Sequence, residues 1–488
     1  MDGSGLEERL VEEGRSRDGN GDLKKRVWEE WKTLWRIALP SIIFRVTAFG
    51  IIVVAQSFLG HVGELHLAAY ALLQTIFLRF INGLLAGMSS ATETLCGQAY
   101  GAGQYHMMGI YLQRSWIVDG VTGSLFIPLF IFATPILRFL GMEDDIARAA
   151  ADISPWFIPF LGSLMFSMTI QMYLQAQMKN LIIGCVSAFS FALQLFLSWI
   201  FVTKFSWGVA GAMSAMNIAS WSLVLGEFIY IFGGWCPDTW TGFSKAAFSD
   251  IFPIMKLSIS SGIMLCLEVW YFGILVLMAG YMKNASTAIS AFSICQNILA
   301  WELNMCLGFL GAACVRVANE LGRGDAKAAK FAMKVNLCTS ICIGVVFSIL
   351  CLVFGRRLSY LFMSDEQVAA SVSNLSFLLS ISILLNSVQP VLSGVAVGSG
   401  MQSLVAFVNL GSYYGIGIPI GVLLGYVAHL RVEGLWIGML CGVAMQTLAL
   451  SFIIYRTDWE YQVKKASERL NKWVLKPSNG SGYSFMHA

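Results

Sequence analysis

The apolar stretch from Leu257 to Gly280 holds one acid and no base, and the acid, Glu268, sits near its middle. A bare carboxylate in hydrocarbon costs at least ~2.5 kcal/mol on insertion scales, so it must be paired, solvated in a cavity or protonated. Each of these conditions makes it a proton-carrying or cation-attracting group. The plainer alternative is a buried acid that only hydrogen-bonds a neighbouring helix. Helical spacing gathers Ser261, Met264, Leu265, Tyr271, Phe272 and Leu275 around the same face, a lining of small polar and aromatic groups.

Two further stretches carry polar side chains inside apolar runs. Between residues 371 and 397, Ser382, Asn386, Gln389, Pro390 and Ser393 fall along one stripe, where Pro390 removes a backbone donor and predicts a kink beside a cavity. Between 286 and 313 stand Gln296, Asn297, Trp301, Glu302 and Asn304. Of these, Asn297, Trp301 and Asn304 make a second stripe with Gly308, and Glu302 points elsewhere on the helix, as a second proton site or as a packing acid. Gln296, Asn297, Trp301, Asn304, Asn386, Gln389, Pro390 and Tyr271 are thus the expected substrate-binding residues. In the first half the intramembrane charges are basic, Arg45 and Arg79. Such guanidinium groups seek either a structural partner, here Glu93 or Asp119, or an anion.

Other chemistries find no support. The five histidines form no metal pair, no Walker sequence is present, and no nucleophile has a base and an orienter beside it by motif, so neither metal, cofactor nor enzymatic activity is expected. The net charge of +3 is small and spread through the connections, which excludes a nucleic-acid partner. The triplet Asn284-Ala285-Ser286 fits a glycosylation acceptor.

These groups need a scaffold that spans a bilayer. With 57% hydrophobic and 12% charged residues, and a mean hydropathy of +0.68, the chain reads as an all-α polytopic membrane protein. Apolar runs long enough to cross ~30 Å of hydrocarbon number twelve, the first over 36–60 and the last over 433–455. Basic residues at both ends, such as Lys24, Lys25, Lys464 and Lys465, put both termini in the cytoplasm. The polar interruption at 234–251 divides the spans six and six, into a tail (1–35), an N-terminal half (36–233), a linker, a C-terminal half (252–455) and a second tail (456–488). The segments from Gly87 and from Gly308 superpose at a shift of 221 residues, with glycines at 87/308, 101/322 and 103/324. A parallel duplication of this kind is carrier architecture, with the substrate site between or inside the halves near the midplane.

The segments GMSSATETLCGQAYGA (Gly87 to Ala102), LQAQ (Leu174 to Gln177), MLCLEVW (Met264 to Trp270), VRVANELGRG (Val315 to Gly324) and QPVLSGVAVGSG (Gln389 to Gly400) together resemble plant members of the multidrug and toxic compound extrusion family. The resemblance implies two six-helix lobes in a V and export of organic compounds by alternating access in exchange for protons or sodium, with Glu268 as the coupling carboxylate. Many relatives carry a second acid where this chain has Gly273, and an Asp where it has Asn386. Bacterial members have an Asp in the first helix, where this chain reads Arg45, Val46 and Thr47. The run from Asn386 to Gly400 is similar to the vacuolar flavonoid-carrier branch, which implies secondary metabolites as substrates and the vacuolar membrane ahead of the plasma membrane. The expected protein is therefore a monomeric secondary transporter whose partners are a small organic substrate, protons and lipid. An anion carrier or channel using Arg45 and Arg79 without strict proton exchange is the alternative.

Overall fold

The computed structural model describes residues 20–249, 251–280, 286–359 and 366–473. The glycosylation triplet falls at a gap, with Asn284 and Ala285 outside the described residues. Helices follow one another in chain order: α1 Asn20–Val62, α2 Glu64–Gly101, α3 Tyr105–Ile131, α4 Asp144–Ala176, α5 Asn180–Lys204 and α6 Gly208–Trp235. After the linker come α7 Ile251–Gly280, α8 Ser286–Arg323, α9 Ala326–Ser359, α10 Glu366–Gly398, α11 Gln402–Val427, α12 Arg431–Arg456 and α13 Trp459–Trp473. Eleven helices among the described residues are long and apolar enough to span a membrane, and twelve if α3 counts with the short helix Ala133–Phe139, from which a 67° bend separates it.

Two expectations at the ends change. The polar residues from Asn20 to Trp35 belong to α1, where Trp28 and Trp31 stack at 4.9 Å, Trp35 packs edge-on against Phe309 of α8, and Glu30 accepts from Nε and Nη2 of Arg316 at 2.7 and 2.9 Å. Past α12, the chain forms α13, which buries Trp459, Ala466 and Leu470. The linker is held to the first half: Gln113 of α3 donates to the Gly242 carbonyl and accepts from the Ser244 N–H, and Tyr173 donates to Thr239.

The repeated glycines do two kinds of work. Gly103 and Gly324, just past α2 and α8, have φ of +72° and +91°, the left-handed cap conformation that only glycine adopts without strain. The other two pairs let helices of opposite halves touch. A Cβ on Gly87 would meet the Ser261 carbonyl of α7, and one on Gly308 would meet Ile42 and the Ala38 carbonyl of α1. At the end that the basic termini would place inside, a Cβ on Gly101 would run into the Asn319 carbonyl of α8 and one on Gly322 into the Gln98 carbonyl of α2. Gln98 and Asn319 are themselves partners at the 221-residue shift, so α2 and α8 meet through equivalent surfaces about a pseudo-twofold axis.

That inner end is sealed by polar contacts between halves. Thr94 donates to the Val397 carbonyl at 2.9 Å, Gln98 to the Gly398 carbonyl at 3.0 Å, and Gln402 to Thr94 at 2.9 Å. From α13, Arg469 reaches Gln98 Oε1 at 2.8 Å and packs over Gly400. Its burial pushes that guanidinium below its ordinary range, and Tyr111 opposes this.

Candidate functional site

Away from the sealed end, a cavity of about 280 Å³ lies between the halves. The first half contributes Arg79 of α2. The second contributes Val269 and Phe272 of α7, Gln296 and Leu303 of α8, Ser382 and Asn386 of α10, and Met439 of α12.

Two carboxylates stand behind the wall formed by the second half. Glu302 is buried, 6% exposed; its Oε2 accepts from Asn386 Nδ2 at 3.4 Å and its Oε1 from Cys306 Sγ at 2.8 Å. Because Asn386 itself lines the cavity, one hydrogen bond connects cavity and acid. Glu268 is half-buried, and its Oε1 accepts from Gln389 Nε2 at 3.1 Å, which also reaches Ser393 Oγ at 3.2 Å. Neither acid belongs to the five ion pairs found among the described residues. The Glu302 placement corrects the sequence expectation: this acid, which the stripe argument pointed elsewhere, faces α10, and Asn386 meets it there.

The remaining expected residues divide. Gln296 and Asn386 line the cavity, and Gln296 Nε2 lies 3.8 Å from Met439 Sδ. The Asn297 side chain lies outside the described ones. Asn304 Nδ2 is turned back on its own helix, donating to the Ala300 carbonyl at 2.8 Å, and Trp301 stands edge-on to Phe49 of α1 at 5.5 Å, so the stripe they define does not line this cavity. Pro390 is buried within α10, which continues through it without a break.

Tyr271 is also turned from the cavity. It is fully buried, stacks on Tyr413 at 4.3 Å and donates to the carbonyls of Gly438 and Met439, both at 3.2 Å. A Cβ on either Gly417 or Gly442 would collide with its hydroxyl, so two glycines of α11 and α12 make the niche that holds it. Beyond it, Tyr413 donates to Gln446 at 2.6 Å, Gln446 to Asn409 at 2.7 Å, and Asn409 to the Met264 carbonyl at 3.2 Å. This chain fixes α7, which carries Glu268, against α11 and α12. Sequence reasoning missed it, as it missed the Met439 side of the wall; the signal available was the four-residue glycine spacing 434, 438 and 442 in α12.

The two basic residues part company. Arg45 has a buried Nε with no hydrogen-bond partner among the described residues, and Glu93 is the acid whose charge reaches it. The other expected partner, Asp119, is taken by Ser89 at 2.8 Å. Glu93 accepts from Gln175 at 2.8 Å and from Cys314 of α8, and Ser41 donates to Gln175 at 3.0 Å. Arg79, by contrast, is exposed into the cavity and belongs to none of those ion pairs. It follows directly on a π-helical turn, Gln74–Leu78, a distortion that rotates what comes after it and is frequent at functional sites.

Comparison with known proteins accords with this geometry. The MatE family model matches residues 40–200 and again 261–423, one match in each half. Protein DETOXIFICATION 24 of Arabidopsis thaliana is 61% identical over 480 residues, covering 97% of this chain and 96% of that protein, and Protein DETOXIFICATION 25 of the same plant is 59% identical over 479 residues, with coverage of 97% and 96%. Among solved structures, that of the eukaryotic MATE transporter AtDTX14 superposes with a TM-score of 0.84 at 32% identity, covering 91% of this chain and 99% of that one. With twofold coverage by one family model, plant relatives matched nearly end to end, and a cavity set between two related halves, the chain belongs to the MatE family of membrane transporters.

Proposed function

We propose that this transporter exports or sequesters organic compounds in exchange for protons, with Glu302 and Glu268 as the proton-carrying groups. The observation that carries this reading is the Asn386 bridge. It joins a buried carboxylate without a cationic partner to the wall of the inter-half cavity, so that occupancy of the cavity and protonation of the acid act on the same hydrogen bond. Glu268, held by Gln389 on the adjoining helix, supplies a second acid to the same half. A ligand and a proton that compete for one site produce exchange when the two conformations differ in proton affinity. The likeness of the Asn386 to Gly400 run to vacuolar carriers supports flavonoid-like or other secondary metabolites as substrates and the vacuolar membrane as the location. A carrier of anions without strict proton exchange is the second reading, favoured by Arg79 alone.

The test is uptake of a flavonoid-like fluorescent probe by proteoliposomes under an imposed pH gradient. Glu268→Gln and Glu302→Gln are expected to insert normally and to lose gradient-driven uptake, the neutral amide being unable to release a proton. Wild-type rates and unchanged pH dependence in both variants would falsify the exchange reading. Uptake by the wild type that ignores the gradient would favour the anion carrier.

A further inference from the structure

We infer that the substrate is dipolar: an apolar body that presents an anionic group to Arg79 and a hydrogen-bond donor or cationic group to the opposite wall. An unpaired guanidinium within a membrane protein is costly unless it meets water, carbonyls or an anion, and Arg79 opens into the cavity with no carboxylate in ion-pair contact among the described residues. Its planar fork favours carboxylate, sulfate or phosphate oxygens.

The facing wall is different. Asn386 gives one N–H of its amide to Glu302, and Gln296 turns one N–H of its Nε2 toward Met439 Sδ. Each amide keeps its carbonyl oxygen and one N–H, and the carboxyl group of Glu302 behind Asn386 tips this wall toward ligand donors over ligand acceptors. Ser382 offers little, since its hydroxyl donates to the Leu378 carbonyl and accepts from Trp436 Nε1. One wall thus wants an anion and the other wants donors, with Phe272, Leu303 and Val269 between them for an apolar body.

The choice between a simple anion and a dipolar ligand rests on the exchange reading above. A purely anionic ligand would be repelled by an ionised Glu302 and so would bind together with the proton, the wrong sign for exchange. A ligand that also brings a donor to Asn386 is favoured by the ionised acid and competes with the proton. Exchange therefore selects the dipolar kind over the simple anion.

The experiment uses the purified full chain in lipid nanodiscs at fixed pH, with no gradient, and measures equilibrium binding of four naphthalene probes bearing a carboxylate, an ammonium, both groups, or a neutral hydroxyl. The probe with both groups is expected to bind tightest to the wild type. Arg79→Gln is expected to weaken the two carboxylate probes by about ten- to a hundredfold, the usual worth of a charged hydrogen bond, and to leave the ammonium probe unchanged. Arg79→Lys keeps a point charge without the fork and is expected to recover part of the loss. Preference for the ammonium probe, equal loss of all four in both Arg79 variants, or no binding by any probe overturns the proposal. Because no gradient is applied, the Arg79 effect stands or falls apart from proton exchange: its presence without gradient-driven uptake would refute exchange and keep the anchor.

Discussion

Adding one methyl group at Gly101 tests whether the inner seam is a gate. Its Cβ would run into the backbone carbonyl of Asn319 in the other half, and a backbone atom cannot swing aside as the tip of a side chain can. Overpacking of this kind costs ~1–3 kcal/mol. The penalty applies only while α2 and α8 are together at their inner ends. The better helix propensity of alanine, about 1 kcal/mol over glycine, applies whether the seam is open or closed and cancels between the two. Gly101→Ala is therefore expected to shift the equilibrium toward the inner-open conformation by about fivefold to 150-fold. A reporter is already in place, because Cys314 is fully buried in the seam against Glu93. Its maleimide labelling rate, read by mass spectrometry of the peptide, should rise by the same factor. Gly120→Ala, where a Cβ would meet nothing within 4 Å, is the control. A Cys314 rate in Gly101→Ala equal to that of the control would refute the reasoning, since the seam would then yield without separating.

Tyr271→Phe is expected to lower thermal stability by about 0.5–1.5 kcal/mol, through loss of the bonds to the Gly438 and Met439 carbonyls, while leaving substrate KM unchanged; a raised KM would put the hydroxyl at the substrate after all. Arg469→Ala removes the contact of α13 with Gln98 and is expected to loosen that helix, seen as faster tryptic cleavage at the exposed Lys464 and Lys465; unchanged cleavage would mean that buried Trp459 and Leu470 hold α13 by themselves.

The spans were legible in the sequence because apolar runs of about 20 residues can satisfy their backbone in hydrocarbon as helices, and eleven of the described helices meet that demand. The duplication was legible because glycine has no substitute where backbones touch or φ is positive. Facing was harder. The stripe of Asn297, Trp301 and Asn304 is real as a periodicity, yet which face of α8 meets the cavity is decided by α10, whose Asn386 draws Glu302 to it. Tyr271 shows the same limit, since helical spacing puts it beside Glu268 and only the glycines of α11 and α12 reveal that its hydroxyl is caged. The π-helical turn before Arg79 has no residue signature in QTIFL, and it lies directly ahead of the cation on the cavity wall.

At the shift of 221 residues the seam and the cavity obey opposite rules. Along the seam, equivalent positions touch: Glu93 meets Cys314, a Cβ on Gly97 would meet Ala318, and Gly101 and Gly322 each press on the other's Asn319 and Gln98. Surfaces that must close on their own copies keep the small residues and the paired polar groups that closure needs. In the cavity the equivalents diverge. Arg79 corresponds to Ala300, which also lines the cavity, while Glu302 corresponds to the buried Ile81 and Glu268 to Thr47, which bonds within its own helix. One half has thus kept the cation and the other both acids. A cavity with a symmetric lining would offer the same chemistry from both walls and favour ligands of one sign, whereas this one sets a guanidinium on one wall against a polar wall backed by carboxyl groups on the other. The asymmetry lies in the cavity wall and the symmetry along the seam, which is the division expected when one closing motion must be shared by both halves and one chemistry must be fixed between them.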